Sequence, residues 1–133
     1  MEKQILLIDD NLISNSNYIN RLKTKYTVDD VAFINTAIYK LKHPEKYKLV
    51  IVDIMMPTLG IFTNEETNDG LTTGLVFYEK HLKELDIKVL FWSRHDFFQE
   101  DVKKLDNPNA SFVLKEYDEN HLLEAIIKFL KDN

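Results

Sequence analysis

Acidic, hydroxyl and lysine side chains stand at the ends of four short apolar runs of this sequence. Asp9 and Asp10 follow the first run, and Asp53 closes another. Ser93 and Lys115 follow two later runs. Two like charges about 4 Å apart repel by roughly 4 kcal/mol at an effective dielectric constant of 20. Three converging carboxylates therefore call for a divalent cation, and Mg²⁺ prefers oxygen ligands of this kind together with phosphate.

These side chains also suit phosphoryl chemistry. Asp53 would be the nucleophile and form an acyl phosphate, with Lys115 and Ser93 stabilising the transferred group. Each residue has a structural alternative: Asp9 or Asp10 caps the first helix, Ser93 is a turn residue and Lys115 is solvated. An ionised Asp53 at the end of an apolar strand needs a partner or a metal, which favours a site over these alternatives.

The elements that must position these side chains are short strands and amphipathic helices in alternation. The apolar runs lack polar alternation, as expected of strands buried on both faces of a parallel sheet. A fifth run is interrupted by two aspartates, which predicts an edge strand. The alternation predicts a doubly wound α/β fold of five βα units with helices on both faces of the sheet. The predicted strands cover residues 5–8, 28–33, 49–52, 89–92 and 112–114. Apolar residues recur with helical spacing within 18–26, 75–82 and 122–130, and shorter helices are predicted at 36–42 and 97–105.

Capping residues predict where three of the helices begin. The first helix is expected to begin near Leu12, where Asp9 or Asp10 would cap it. Asp96 followed by Gln99 has the form of a capping box. Asp118 is the expected cap of the last helix.

A mostly polar stretch, residues 58–69, separates the third strand from its helix. It is longer than the 2 to 6 residues usual for such a connection. It is interpreted either as a functional lid or as a tolerated insertion.

Composition limits the class of protein. The 133 residues suit one domain, 1–133, and the net charge of -5 argues against direct binding of nucleic acid. The absence of cysteine excludes disulfides, a thiolate zinc site and a cysteine nucleophile. The chain lacks a signal peptide's apolar region and an apolar run long enough to span a membrane. We expect a cytoplasmic protein that binds neither nucleic acid directly nor a membrane.

Four segments together resemble the receiver domain of bacterial two-component response regulators. They read LIDDN at 7–11, VIVDIMMP at 50–57, LFWS at 90–93 and VLK at 113–115. Their joint occurrence in this order is far more specific than any single motif, and the resemblance covers nearly the whole chain. It implies the flavodoxin-like receiver fold, with a parallel five-stranded sheet in the order 2-1-3-4-5.

The resemblance assigns a phosphoacceptor and a metal site. Asp53 would accept a phosphoryl group from a sensor histidine kinase or a phosphotransfer protein. Asp9 and Asp10 would bind Mg²⁺ together with Asp53 and the backbone carbonyl of Met55.

The resemblance also implies a switch. Ser93 would swing toward the phosphoryl group, Phe112 would turn inward with it, and Lys115 would pair with the phosphoryl oxygens. The surface of the fourth helix, fifth strand and fifth helix would report the phosphorylated state to a downstream protein, whose identity the sequence leaves open. A homodimer through that surface is a further expectation.

The chain departs from the receiver pattern in several places. Arg94 stands where a small residue usually follows the hydroxyl, and we expect its bulk to slow donor access or hydrolysis. His95 is expected to influence access of water. Glu116 replaces a usual proline. The glycine that usually follows the phosphoacceptor by about eight residues corresponds to Gly70, which makes 58–69 an inserted loop.

Four functions can be compared. The leading hypothesis is a Mg²⁺-dependent phosphorylation switch that catalyses only its own phosphorylation and dephosphorylation. The alternative is a degenerate receiver that is never phosphorylated and acts as a constitutive interaction module. A small aspartate-nucleophile phosphatase is less favoured, since its acidic pair usually has the form Asp-x-Asp. No glycine-rich motif favours a nucleotide-binding protein.

Overall fold

Parallel strands and helices alternate through residues 2–132, the part of the chain that the computed structural model describes. The strands are β1 (Gln4–Ile8), β2 (Val28–Val31), β3 (Tyr47–Val52), β4 (Lys88–Ser93) and β5 (Ala110–Leu114). The helices are α1 (Ser16–Lys23), α2 (Ile34–Lys40), α3 (Thr73–Phe77), α4 (Gln99–Lys103) and α5 (His121–Leu130). Short 3₁₀ turns, Pro44–Lys46 and Asp96–Phe98, precede β3 and α4.

The five strands form one parallel sheet in the order β2-β1-β3-β4-β5. This confirms the predicted fold and the edge position of the second strand. Alternate residues of the buried strands face opposite sides, as the two-residue period of a strand requires. On one side Ile8 and Phe91 pack among residues of α2, α3 and α4. On the other side Leu7 and Trp92 pack among residues of α1 and α5.

The first helix begins later than predicted. It starts at Ser16, with Asn15 as the preceding cap residue, and not near Leu12. The Asp9 carboxylate instead accepts the backbone N–H of Asn11 at 2.8 Å. The capping alternative for Asp9 is therefore wrong, because this carboxylate orders the loop before the helix.

The two other predicted caps are also displaced. Asp96 begins a 3₁₀ turn whose cap residue is His95, and no side chain hydrogen-bonds to that end, so the capping box with Gln99 is wrong. At α5 the cap residue is Asn120. Asp118 accepts the backbone N–H of Asn120 at 2.9 Å and so shapes the turn before the helix.

The third helix changes form along its length. After Phe77 it continues as a π-helical turn, Tyr78–Leu82, so the helical pattern predicted for 75–82 is divided between two geometries. π-helical turns are rare and occur mostly as single turns within α-helices. Here the π turn carries the side chains against which residues 58–69 pack.

Residues 58–69, which we call the docked segment, contain no strand or helix but are well hydrogen-bonded. Thr63 and Glu66 form reciprocal bonds: the Thr63 N–H donates to Glu66 Oε2 at 2.8 Å, and the Glu66 N–H donates to Thr63 Oγ1 at 3.0 Å. Phe62 belongs to the buried core and lies below the Lys80 ammonium, 5.5 Å from it. Lys80 Nζ pairs with Glu66 Oε1 at 2.7 Å. The segment is therefore folded onto the π turn.

No helix within residues 2–132 combines the length and apolar character that a membrane span requires.

Candidate functional site

The register of β1 and β3 brings two of the acidic residues together. Ile8 lies opposite Val52, and Asp9 and Asp53 are the next residues of the two strands. The Asp53 N–H donates to the Ile8 carbonyl at 3.1 Å, so the pairing continues one step past the strands. Since neighbouring strands lie about 4.8 Å apart, the two carboxylates emerge side by side at the carboxyl edge.

Asp10 completes an acidic cluster. Asp9, Asp10 and Asp53 each offer a carboxylate oxygen, and these oxygens all lie within 4.8 Å of one another. Asp9 is fully buried and Asp53 is nearly so, whereas Asp10 is exposed. An all-oxygen donor set of this size matches the preferences of Mg²⁺. No histidine belongs to this cluster.

Lys115 is the cation of the site. Its Nζ donates to Asp9 Oδ2 at 2.7 Å and to Asp53 Oδ2 at 3.2 Å, and its side chain is only 3% exposed. It lies 4.6 Å from the centre of the Trp92 ring. The position follows from the sheet, because the Lys115 N–H donates to the Ser93 carbonyl at 2.7 Å and extends the β4–β5 pairing.

The charges of the site are out of balance. Three carboxylates face one ammonium, which leaves two uncompensated negative charges. Burial, with a contribution from Asp9, raises the pKa of Asp53 to about 6 although Lys115 opposes the shift. Burial and Asp9 also raise the pKa of Asp10. A divalent cation would remove the excess charge, so the residues present fit Mg²⁺.

Ser93 ends β4 beside this cluster. It is 1% exposed, and its Oγ accepts the backbone N–H of His95 at 3.3 Å, which leaves the hydroxyl hydrogen free to donate. Ser93, Asp53 and Met55 line a cavity of about 210 Å³ that also reaches Asp10. The structure therefore brings the predicted phosphoacceptor, hydroxyl, lysine, acidic pair and Met55 around one small opening.

Other predicted site residues lie at the margin or elsewhere. Arg94 and His95 line the same cavity and are exposed, and His95 stacks against Phe97 with ring centres 5.2 Å apart. Phe112 is half-buried on β5 and does not line that cavity; it borders a separate groove of about 1040 Å³ between β5 and α5. The Glu116 carbonyl accepts the Tyr18 hydroxyl, and all described peptide bonds are trans.

Two residues of the site escaped the sequence analysis. Asn15 is fully buried, and its Nδ2 donates to Asp9 Oδ2 at 3.2 Å. Nothing in the local pattern distinguishes this asparagine from its polar neighbours.

Gly74 is the second such residue. A Cβ there would lie 2.1 Å from the Asp53 carbonyl oxygen and 2.8 Å from Ile54 Cα. The Gly74 N–H donates to the Ile54 carbonyl at 2.8 Å. Only glycine allows α3 to approach the backbone of Asp53 this closely. Gly70, the glycine that corresponds to the receiver pattern, has a φ of +89°. Its carbonyl accepts the Met56 N–H at 3.1 Å.

Comparison with known proteins places this architecture. The response regulator TrrA of Thermotoga maritima, crystallised in complex with Mg²⁺ and BeF, is 24% identical, with a TM-score of 0.69 over 96% of this chain and 99% of that one. A CheY-like receiver domain protein of Methanospirillum hungatei is 22% identical, with a TM-score of 0.72 over 98% and 95% of the two chains. The chemotaxis protein CheY4 of Vibrio cholerae is 16% identical, with a TM-score of 0.63 over 97% and 99%.

These likenesses establish the fold. The chain has the fold of a response-regulator receiver domain, as its motifs predicted. No model of a known protein family and no curated protein sequence matches the chain. The roles of the individual site residues are therefore argued from the geometry of this chain.

Proposed function

We propose that this chain is a phosphoacceptor receiver domain in which Asp53 accepts a phosphoryl group from a phosphohistidine of a sensor kinase or phosphotransfer protein. The observation that carries the proposal is the arrangement around Asp53. This buried carboxylate lies within 4.8 Å of the oxygens of Asp9 and Asp10 and receives a hydrogen bond from Lys115 at 3.2 Å. A purely structural ion pair would place one carboxylate beside one ammonium, whereas this site has three carboxylates and one ammonium.

Asp9, Asp10 and Asp53 would hold Mg²⁺, with the Met55 carbonyl as the further protein ligand that the resemblance implies. When bound, the ion would offset the excess carboxylate charge and allow an anionic phosphoryl group to approach. Each carboxylate oxygen has more than one acceptor position, so the hydrogen bonds already present leave room for this coordination.

Asp53 would act as the nucleophile. Its Oδ1 accepts the Ile54 N–H at 2.8 Å, which fixes the plane of the carboxylate. A carboxylate oxygen forms a bond to phosphorus while the bond from phosphorus to the donor nitrogen breaks, and the donor imidazole keeps the electron pair. With a pKa of about 6, Asp53 is largely ionised at neutral pH and competent for attack.

Lys115 and Ser93 would stabilise the transferred group. The Lys115 ammonium already bridges Asp9 and Asp53, so a phosphoryl oxygen on Asp53 would meet it directly. The Ser93 hydroxyl lines the same cavity with its hydrogen free to donate. Movement of Ser93 and Phe112 would then alter the surface of α4, β5 and α5, where the groove of about 1040 Å³ offers a place for a downstream protein. A homodimer there and a cytoplasmic location stay predictions.

A second candidate is a receiver that is never phosphorylated and serves as a constitutive interaction module. The observation in its favour is Arg94, an exposed residue that lines the acidic cavity together with Asp53.

Intact-protein mass spectrometry after incubation with acetyl phosphate tests the proposal. We expect one phosphoryl adduct that requires Mg²⁺ and disappears in Asp53→Asn. Asp101→Asn, a change at an exposed position of α4, is the matched control and should keep the adduct. An adduct that survives in Asp53→Asn would contradict the assignment of the phosphoacceptor.

Failure of the wild type with both acetyl phosphate and phosphoramidate would favour the constitutive module. Continuous release of product from a generic phosphate ester would instead indicate a phosphatase, because a receiver modifies only itself.

A further inference from the structure

An unneutralised guanidinium borders the acidic cavity. Arg94 follows Ser93 and lines the opening together with Asp10, Asp53 and Lys115. Among residues 2–132, the ion pairs within 4.0 Å include none made by Arg94, although three carboxylates are close by. Its side-chain hydrogen bond goes to a neutral group, the Asn15 Oδ1, at 3.5 Å. A cation beside carboxylates that pairs with none of them is available for another anion.

Asn15 explains how this arrangement is held. The residue is fully buried, and its Nδ2 donates to Asp9 Oδ2, which directs its Oδ1 toward Arg94. The amide thus connects Arg94 to the acidic cluster without neutralising either charge. The 3.5 Å contact is at the long limit of a hydrogen bond, so the guanidinium gives up little when it moves to a stronger acceptor.

The charge count of the site identifies that acceptor. Asp9, Asp10 and Asp53 with Lys115 carry a formal charge of two negative units, which one divalent cation cancels. Conversion of a carboxylate to an acyl phosphate makes the charge of the group more negative, from minus one to roughly minus two. The phosphorylated site therefore has about one negative charge in excess, and Arg94 carries the charge that would balance it.

We propose that Arg94 is a second ligand of the phosphoryl group on Asp53, beside Lys115. The proposal rests on the proposed function of this site. A guanidinium presents parallel N–H donors that match two phosphate oxygens, whereas an ammonium acts as a point charge. Arg94 would turn from Asn15 to these oxygens after transfer, retain the phosphoryl group and cover it from water.

Beryllofluoride, which stands in for the phosphoryl group on a carboxylate, provides the test. Binding to the protein in saturating Mg²⁺ is measured by calorimetry and by the emission of Trp92, the one tryptophan of the chain, which lies below Lys115. We expect Arg94→Ala to weaken beryllofluoride binding about tenfold and Arg94→Lys to give an intermediate loss. Mg²⁺ affinity measured alone should not decrease in either variant.

Arg21→Ala is the matched control, because Arg21 is a surface arginine already paired with Glu119 at 2.6 Å. It should bind beryllofluoride as the wild type does. If Arg94→Ala bound beryllofluoride as tightly as the wild type or more tightly, the proposal would be overturned, and Arg94 would only obstruct access to Asp53. A wild type that binds Mg²⁺ but no beryllofluoride would instead overturn the proposed function itself, so the two failures are distinguishable.

The acyl phosphate of Arg94→Ala should also hydrolyse several-fold faster than the acyl phosphate of the wild type.

Discussion

Two carboxylates of this molecule, Asp53 in the acidic site and Glu66 in the docked segment, are shifted in opposite directions. Burial raises the pKa of Asp53 to about 6, with Asp9 adding to the effect and Lys115 opposing it. Hydrogen bonds from Lys80 and the Thr63 backbone lower the pKa of Glu66 to about 2. The surroundings of Asp53 disfavour its ionised form, whereas the surroundings of Glu66 stabilise its ionised form.

The difference fits the proposed roles of the two residues, Asp53 as the phosphoacceptor and Glu66 as a structural group. Glu66 contributes to folding through its partners, so its environment is explained by stability alone. The raised pKa of Asp53 means that the folded protein disfavours its ionised form, and shifts of this kind are frequent at functional sites. Substitutions in the acidic site and in the docked segment test whether the two regions differ in this way.

The largest effect is expected at the boundary of the acidic site. Gly74→Ala places a Cβ 2.1 Å from the Asp53 carbonyl oxygen, and the clash is with backbone that cannot turn aside. We expect a loss of about 3 kcal/mol or more in the free energy of unfolding, measured with urea. Gly60→Ala is the control: a Cβ there has open space around it, although its φ of +79° is unfavourable for alanine. Its loss should be about 1 kcal/mol. Equal losses would show that α3 is free to move away.

The next effect concerns the anchor of the docked segment. Phe62→Ala removes a ring that is 6% exposed and packed in the core. We expect a loss of about 2 kcal/mol, less than is usual for a buried phenylalanine because the segment can open locally. Amide exchange should accelerate in residues 58–69 while Mg²⁺ affinity stays unchanged. A parallel loss of Mg²⁺ affinity would show that the two regions are coupled.

The sequence was sufficient to predict the sheet and most of the site because both depend on strands. Apolar runs without polar alternation define buried parallel strands, and the carboxyl ends of such strands meet at one edge. Asp53, Ser93 and Lys115 could therefore be placed at one edge of the sheet from the sequence alone. The register of β1 and β3 then brings Asp9 and Asp53 side by side.

Contacts made within loops, and the close approach of a helix to the sheet, could not be predicted. Asn15 reaches Asp9 only because the loop before α1 is ordered by the Asp9 carboxylate. Gly74 is required by the approach of α3 to β3, which no local pattern reveals. The caps predicted at Asp96 and Asp118 were misplaced because a short turn precedes each helix: the 3₁₀ turn Asp96–Phe98 precedes α4, and Asp118 shapes the turn before α5.

Removal of the Asp53 charge should stabilise the metal-free protein. Asp53→Asn should raise the stability of the metal-free protein at pH 7.5 by on the order of 1 kcal/mol, because the amide cannot ionise in the buried site. The folded protein binds the Asp53 proton more tightly than the unfolded chain, whose pKa is near 3.8. The stability from protonation is complete below about pH 4 and is lost as the pH rises through about 6. The advantage of the variant should therefore vanish near pH 4.

Mg²⁺ supplies the control for that experiment. It should stabilise the wild type in proportion to its binding and stabilise Asp53→Asn much less, since one ligand charge is missing. Denaturation curves with and without Mg²⁺ measure both effects. A variant less stable than the metal-free wild type at pH 7.5 would show that the pairing of Asp53 with Lys115 outweighs the cost of burial.

The smallest effect is expected at Glu66, and its pH dependence should have the opposite sign. The folded protein holds Glu66 ionised down to a pKa of about 2, below the ordinary value of 4.5. Its contribution is therefore present above about pH 4.5 and lost as the pH falls through about 2. Glu66→Gln should lower stability slightly at pH 7, accelerate amide exchange near Thr63 and leave phosphorylation unchanged. Glu65→Gln is the neighbouring control, with no expected change. A pH profile for Glu66→Gln that matched the profile of Asp53→Asn would mean that the two carboxylates share one environment, and the contrast between a functional and a structural charge would fail.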